Sequence, residues 1–425
     1  MSFTTALHFG GNGGFRWIQG VCLALLAAWA ATGVGRAAEG VADCETCLES
    51  PAAAAEDRFY FDVYGFAQLD YIQDFNRVDP DWAATLRASR IPTEAGEFGA
   101  DGQSILSVRQ SRLGVKALLP TSAGDVRTVF EFDMYGVGPD AGETTMRLRH
   151  AYGEWGHWLA GQTHSLFMDI DVFPNVIDYW GPGGMVFLRN PQLRWTPIRG
   201  DHTLAVAVEQ PSSDIDTGTY DRVIQGLGAE VRGVNRIPDF SARYRYQQDW
   251  GHFQVGSILR NIAYETVRSP PTPGNRPEAE FTGWGVNLSS TINVRDSDRI
   301  ILSYVTGEGI ASYMNDGGVD LAPSASFPMA ADPATVPLRG MVVYYDLQWN
   351  DTWSSAIGYS ATEVDNLGGQ TADAFKRGQY ASVNLLHSPT DSLLYGIEYL
   401  WGQRTDKDGD SGQDNRIQIS AKYSF

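Results

Sequence analysis

The sequence predicts an all-β fold, a transmembrane antiparallel β-barrel of about 16 strands. From residue 59 onward, apolar and polar residues alternate in segment after segment, without a sustained helical period. Short turns and long loops follow one another along the chain, as in a barrel with one short-turn end. The mean hydropathy of −0.25 excludes a helical membrane bundle, yet suits barrel strands that turn only every second residue towards lipid.

The chain is predicted to begin with a secretory signal peptide. Arg16 precedes the apolar run "WIQGVCLALLAAWAATGVG", and Gly35 and Ala37 fit the small-residue positions before a cleavage site. An uncleaved anchor is the alternative, but the apolar run is short for a membrane span. The predicted units are a cleaved signal peptide (1–37), a flexible N-terminal segment (38–57) and the transmembrane barrel (58–425).

Cys44 and Cys47 form the short motif "CETC" in the flexible segment. In an exported chain this spacing suits a local disulfide. A zinc site would need two further ligands, and a redox pair would need a thioredoxin-like βαβ context; the sequence shows neither. No metal site and no cofactor are predicted.

The barrel segments run from "RFYFDVYGFAQLDYIQDF" to the final "NRIQISAKYSF". In the first, Phe61, Val63 and Leu69 share one face, while Asp62 and Asp70 share the other. Because this second face is polar in strand after strand, a membrane barrel is favoured over a soluble β-sandwich. The final strand is expected to pair with the first and remove the sheet edges.

Turns of Gly, Pro, Asp and Asn follow the even-numbered strands, whereas longer loops mostly follow the odd ones. The loop "MDIDVFPNVIDYWGPGGMVFLRN" combines Pro and Gly with many apolar residues. A solvated loop rarely does so, and we therefore expect this third loop to fold into the lumen and constrict it. Its Asp169, Asp171 and Asp178 would oppose basic residues of the wall; a contact between subunits is the alternative.

Six arginines are predicted to line the lumen, because a charged side chain facing lipid near the midplane costs roughly 2–4 kcal/mol. Guanidinium groups bind carboxylates bidentately, and rings of Arg or Lys are typical of anion pores. The simpler alternative is that Arg tolerates any wet lumen, and Asp62, Asp70, Glu131 and Asp133 add negative charge to the same side. Arg109 has the opposite parity and is expected at a rim or bulge. The six are Arg112, Arg147, Arg149, Arg194, Arg243 and Arg245.

The remaining patterns argue against other functions. A formal charge of −19 excludes a typical nucleic-acid binder, whose surface is basic. The 7 histidines form no HExxH spacing and no GxSxG occurs, so an enzyme is not predicted.

The stretch "DKDGDSGQD" (406–414) resembles a calcium loop, but its Gly is one place late and no Glu closes it. A solvated loop is the preferred interpretation, with opportunistic Ca²⁺ as the alternative.

Several motifs carry a family resemblance. "RQSRLGVK" resembles the second-strand motif of Gram-negative trimeric porins. Five further segments resemble, in the same order, segments of the DcaP-like outer-membrane porins. They are "MRLRHAYGEW", "LAGQTHSLFMD", "GEGI", "QYASVNLL" and "NRIQISAKYSF". The resemblance covers most of the chain from Phe59. Members of this family can carry an N-terminal helical coiled-coil segment; here only the short Cys44–Cys47 stretch and a linker stand in its place, so the resemblance does not imply periplasmic anchoring through such a helix.

The resemblance implies a homotrimer in the outer membrane of a Gram-negative cell, with a third loop in the pore. It also implies passive diffusion of small anionic solutes, often dicarboxylates, and assembly through a terminal aromatic, here Phe425. A phosphate-preferring, sugar-preferring or unselective porin is the first alternative. An outer-membrane barrel enzyme or an adhesin is the second.

Overall fold

A computed structural model gives the fold of the 425-residue chain and describes residues 59–136, 142–268, 278–295 and 297–425. The predicted signal peptide (1–37), the flexible segment (38–57), Cys44 and Cys47 lie outside the described residues. Those expectations, including the disulfide, stay predictions.

The described residues form twenty strands and one short helix. In chain order the strands are β1 (Tyr60–Asp74), β2 (Gln103–Ser107), β3 (Arg112–Leu119), β4 (Val126–Asp133), β5 (Arg147–Trp155), β6 (Trp158–His164), β7 (Arg189–Ile198), β8 (His202–Glu209), β9 (Ala229–Val234), β10 (Asp239–Gln248), β11 (Gly251–Arg268), β12 (Glu278–Asn293), β13 (Arg299–Glu308), β14 (Leu321–Pro323), β15 (Pro333–Thr335), β16 (Pro337–Asn350), β17 (Trp353–Val364), β18 (Phe375–Thr390), β19 (Leu393–Asp406) and β20 (Ser411–Ser424). The helix is α1 (Asp221–Gly226), and single 3₁₀ turns occupy Pro80–Trp82, Ala88–Arg90, Ile170–Val172, Gly218–Tyr220 and Ala311–Tyr313.

The barrel closes through β1 and β20, as the sequence predicts. The two strands run antiparallel, and Asp70 pairs with Ser420 in their register. Gly65 and Phe425 exchange two backbone hydrogen bonds of 3.0 Å, which seals the seam at the chain end. Since β2 and β3 are two parts of one wall strand, and β9, β14 and β15 belong to loops, the closed wall has the predicted 16 strands.

Alternation sets the two faces of the wall. On β1, Phe61, Leu69 and Tyr71 are exposed on the outside, whereas Gln68 and Asp70 are buried inside. This is the expected arrangement for strands with lipid on one side and a polar interior on the other. In the part of the chain that the structure describes, no helix is long and apolar enough to span a membrane.

The wall differs in height around its circumference. Strands β4 to β8 have 7–10 residues each. Across the barrel, β17 to β20 have 12–16 residues each, and β11, two strands beyond β8, has 18. One side of the barrel is therefore lower than the other.

Three loops fold into the barrel and supply its apolar packing. We call them loop 1 (residues 75–102), loop 3 (165–188) and loop 6 (309–336). Loop 3 folds inward as predicted, although it begins earlier than expected because β6 ends at His164. Phe167 and Val186 of loop 3 pack with Tyr313 of loop 6, while Leu86 of loop 1 packs with Met185. The apolar core therefore lies inside the wall and is built largely from loops.

Candidate functional site

The three inward loops meet at two adjacent residues of loop 6. Arg87 of loop 1 forms an ion pair with Asp316, with 3.2 Å between Nη2 and Oδ1. The Asn315 side-chain amide donates to the Trp180 and Pro182 carbonyl oxygens of loop 3, at 2.8 and 3.0 Å. Loops 1, 3 and 6 thus form one hydrogen-bonded layer across the lumen.

The middle of loop 3 is bonded to the barrel wall. The Ile177 carbonyl oxygen accepts hydrogen bonds of 2.9 Å from Gln110 and from Gln418, which lie beside opposite edges of β1. The Ile177 amide donates to Glu398 of β19 at 2.5 Å. These polar wall residues fix where the loop crosses, so the lumen is narrowed at a defined place.

The start of loop 3 is held by a charged cluster, which we call the loop-3 anchor: Asp169, Asp171, Arg245 and His252. Arg245 of β10 lies 3.4 Å from Asp169 and 2.5 Å from Asp171. His252 Nε2 of β11 lies 2.7 Å from a carboxylate oxygen of Asp169. Burial alone would raise the pKa of Asp169. The positive charges of His252 and Arg245 outweigh burial and hold that pKa well below its usual range.

Asp169, Asp171 and His252 also bring three potential metal-ligand atoms within 4.8 Å of one another. Carboxylate and imidazole ligands suit several divalent ions. Here the Arg245 guanidinium already supplies the positive charge that a metal would bring. We therefore interpret the cluster as an ion-pair anchor for loop 3.

The three inward loops and the wall border a cavity of 1220 Å³ inside the barrel. Its lining is strongly cationic, with eight basic and three acidic side chains among the described residues. Burial raises the pKa of Asp178 and of Asp214 above the ordinary value. The basic residues are Arg87, Arg90, Arg112, Arg147, Arg149, Arg189, Arg299 and Lys422, and the acidic ones are Asp178, Asp214 and Asp316.

Neighbouring strands place three of these arginines against two carboxylates. Arg147 forms a two-pronged pair with Asp133, at 3.1 and 2.6 Å. Arg149 spans both acids, with 2.6 Å to Glu131 and 3.1 Å to Asp133. Arg112 lies 3.5 Å from Glu131. Because β3, β4 and β5 are adjacent, residues of inward parity necessarily meet here.

Arg189, at the start of β7, completes what we call the arginine cluster: Arg112, Arg147, Arg149 and Arg189. Its guanidinium carbon lies 5.2 Å from the Phe187 ring centre. Within the described residues, no carboxylate pairs with it and its buried Nη1 has no hydrogen-bond partner. The sequence pattern does not single out Arg189, because "FLRN" continues the apolar stretch of the third loop and carries no alternation of its own.

The six arginines predicted to line the lumen all lie inside the barrel, but only three of them border the cavity. Arg112, Arg147 and Arg149 do so. Arg194 is buried in the wall and donates to the His164 carbonyl oxygen at 2.7 Å. Arg243 is half-buried on β10, away from the cavity lining, and Arg245 is engaged in the loop-3 anchor.

The three predicted aspartates also separate. Asp169 and Asp171 do oppose an arginine, Arg245. Asp178 borders the cavity, yet it accepts hydrogen bonds from Thr85 Oγ1 and the Leu86 amide of loop 1, at 2.8 and 3.1 Å. The high apolar content that predicts the inward fold of loop 3 also occurs in loops 1 and 6. Applied to those loops, it would have indicated that Arg87 and Asp316 lie inside the barrel.

Two further expectations concern single segments. Arg109 lies in the interruption between β2 and β3, with its guanidinium 4.1 Å from the Tyr135 ring centre, in agreement with the expected bulge.

The calcium-like stretch 406–414 forms a hairpin in which Asp406 pairs with Arg404 at 2.7 Å, and Asp414 with Arg416 at 2.7 Å. Its carboxylates point to separate partners, so the described residues give no support for a calcium loop.

A closed 16-strand barrel whose third loop narrows a charged lumen defines the porin class of outer-membrane channels. The chain belongs to the family of DcaP outer membrane proteins, whose model matches residues 30–425. Proteins of this class are channels rather than enzymes, which confirms the prediction against enzymatic activity. No curated protein matches the sequence.

Solved structures share the fold. The outer membrane channel DcaP of Acinetobacter baumannii is 22% identical, with a TM-score of 0.72 over 87% of this chain and 99% of that one. An anion-selective porin from Comamonas acidovorans is 8% identical, with a TM-score of 0.54 over 87% and 100% of the two chains. OmpT of Vibrio cholerae is 12% identical, with a TM-score of 0.51 over 88% and 100%.

Proposed function

We propose that this outer-membrane channel admits small hydrophilic anions, such as dicarboxylates, by passive diffusion through the arginine-lined cavity. The observation that carries the proposal is the charge of the cavity lining, with eight basic and three acidic side chains among the described residues. Inside a narrow, partly desolvated passage such a field concentrates anions and repels cations. The acidic chain as a whole does not oppose this, since most carboxylates lie elsewhere or are paired.

The charge of the wall is mixed, which gives the proposed field a direction. Glu131 and Asp133 of β4 are buried outside the cavity lining, whereas their partners Arg147 and Arg149 border the cavity, and Tyr179 of loop 3 donates its hydroxyl to Asp133 at 2.8 Å. The guanidinium groups therefore stand between the carboxylates and the solute path. A carboxylate solute would meet donors that are already oriented, at little entropic cost.

The decisive experiment is the reversal potential of the purified protein in a planar bilayer under a KCl gradient. Anion selectivity is expected, with a smaller value for Arg149→Ala. A channel without charge preference would contradict the proposal and favour an unselective or sugar-preferring porin, and a cation-selective channel or an unchanged value in the variant would rule the proposal out. The complete absence of conductance would favour an adhesin instead.

We also propose that the mature chain begins after residue 37 and assembles as a homotrimer. The low wall of β4 to β8 supports the second point, because a wall too short for the bilayer is best placed against another subunit. Chemical crosslinking and N-terminal sequencing test these two points separately.

Phe425 is proposed to direct the chain to the barrel-assembly machinery. Its backbone is bonded to Gly65 across the seam and its ring is exposed on the outer face. Phe425→Ala should reduce the amount of protein in the outer membrane while leaving refolding in detergent intact. Equal membrane levels of variant and parent would contradict this role.

A further inference from the structure

Arg189 differs from its cationic neighbours in having no charged partner within the described chain. Arg147 and Arg149 hold Asp133 and Glu131 at 2.6 Å, and Arg299 holds Asp346 at 2.7 Å. A fixed carboxylate already occupies part of the hydrogen-bonding capacity of each of these guanidinium groups. An incoming anion would have to compete with a fixed carboxylate for each of them.

The local charge balance places an excess next to Arg189. In the arginine cluster, four guanidinium groups face two carboxylates, Glu131 and Asp133, which leaves two positive charges in excess. The other three arginines repel the positive charge of Arg189, and Asp133 offsets part of this repulsion without forming an ion pair with it. Mutual repulsion of this kind costs free energy in the empty channel, and a bound anion relieves it.

The position of Arg189 gives an anion direct access to it. The residue lies where loop 3 rejoins the wall, and it borders the 1220 Å³ cavity. Phe187 supports one face of the guanidinium at 5.2 Å, so the planar group is held rather than swinging in solvent. The side chain as a whole is half-buried, so part of the guanidinium is open to the cavity, while its buried Nη1 has no hydrogen-bond partner.

We propose that Arg189 is the residue that binds the permeating anion directly, and that the ligand is a compact oxyanion docked against the arginine cluster. This inference rests on the proposed anion channel and adds the specificity-determining residue. The paired arginines supply the attractive field, whereas Arg189 supplies the fork of donors that a carboxylate or an inorganic oxyanion fits. A halide offers one acceptor atom to that fork, whereas an oxyanion offers two oxygens that match its two parallel N–H donors.

The experiment measures how strongly added oxyanions block the chloride current in planar bilayers. Sulfate is the inorganic probe and malonate the organic one, each titrated at constant ionic strength. Arg189→Gln should raise the half-blocking concentration of both by roughly tenfold or more, the value of one charged hydrogen bond. A change for only one probe would assign the site to that kind of oxyanion.

Two further variants separate direct binding from a general loss of charge. Arg299→Gln also removes one positive charge from the cavity lining, but from a guanidinium that already pairs with Asp346; a much smaller shift is expected. Arg189→Lys keeps the charge and loses the fork, so an intermediate value is expected. Heat-dependent electrophoretic mobility shows whether each variant folds. If Arg189→Gln folds poorly, Arg189→Lys still tests the role of the guanidinium group.

Equal shifts in Arg189→Gln and Arg299→Gln, or no block in the parent protein, would overturn the assignment. The failure of this inference is distinguishable from failure of the proposed function. A parent channel that prefers cations refutes the anion channel itself. An anion-selective parent with unchanged block in Arg189→Gln refutes only the role of Arg189.

Discussion

Arg245 on β10 and Asp171 in loop 3 lie 2.5 Å apart, and this ion pair joins the barrel wall to the start of the constriction. Asp169 shares the same guanidinium at 3.4 Å. Two carboxylates of one loop therefore share one guanidinium group of the wall, and this pairing helps to hold the start of loop 3 in position.

Arg245→Gln should loosen loop 3 without unfolding the barrel. Removing one partner from a buried ion-pair network costs about 3–5 kcal/mol, and here the loss falls on the loop. We expect noisier single-channel currents and a larger mean conductance. Arg232→Gln, which alters an exposed ion pair with Glu230, is the control and should behave like the parent. Identical current noise in Arg245→Gln would show that other contacts suffice to hold the loop.

Acidification should loosen loop 3 through Asp169. Its pKa is held below the ordinary value of 3.8 against the effect of burial, so the stabilisation is fully present above pH 3.8. It is lost as the pH falls from there through the lowered folded-state pKa. Current noise should therefore stay constant down to about pH 4 and rise below it. Asp169→Asn should be noisy at every pH; a parent-like acid transition in this variant would point to another group.

Glu131→Gln should increase anion selectivity. The change removes a negative charge that contacts Arg149 at 2.6 Å and Arg112 at 3.5 Å, while it keeps the size of the side chain. The arginine cluster would then have one more positive charge in excess. The reversal potential in a KCl gradient measures the effect, with Glu230→Gln at an exposed loop position as the control. A shift towards cation selectivity would contradict the proposed field.

Arg416→Gln should destabilise the barrel itself. Its guanidinium is fully buried, 2.9 Å from Asp74 and 2.7 Å from Asp414, so the change leaves two buried carboxylates without a cation. We expect a loss of about 3–5 kcal/mol in the free energy of unfolding. Urea unfolding in detergent measures it, and Arg232→Gln should show no measurable change. An unaltered midpoint would mean that the triad carries little net stability.

The wall of the barrel is predictable from sequence because lipid and water impose a strict period of two on every strand. Leu69 and Tyr71 face outward and Asp70 inward, as alternation requires. The interruption between β2 and β3 is also predictable, because Arg109 does not fit the inward and outward alternation of the residues around it. These features depend only on neighbours along the chain and on the solvent at each face.

The partners of the inward residues were not predictable in the same way. Parity places Arg194 and Arg149 on the same side, but it does not show that one is bonded to a backbone carbonyl within the wall and the other faces the cavity. Asp178 was expected to oppose arginines, whereas loop 1 folds in and engages it through Thr85. Such contacts depend on how loops distant in sequence pack together, and a single sequence does not encode that in any periodic signal.

The meeting of loops 1, 3 and 6 at Asn315 and Asp316 has a consequence for how such channels diversify. A change in one loop alters the surfaces on which the other two rest, because Asp316 holds Arg87 and Asn315 holds Trp180. Grafting a single loop from a relative would therefore disturb the passage even where the wall is identical. The three loops constitute one inherited unit, and exchanging them together is the route by which a new permeability could be transplanted onto this barrel.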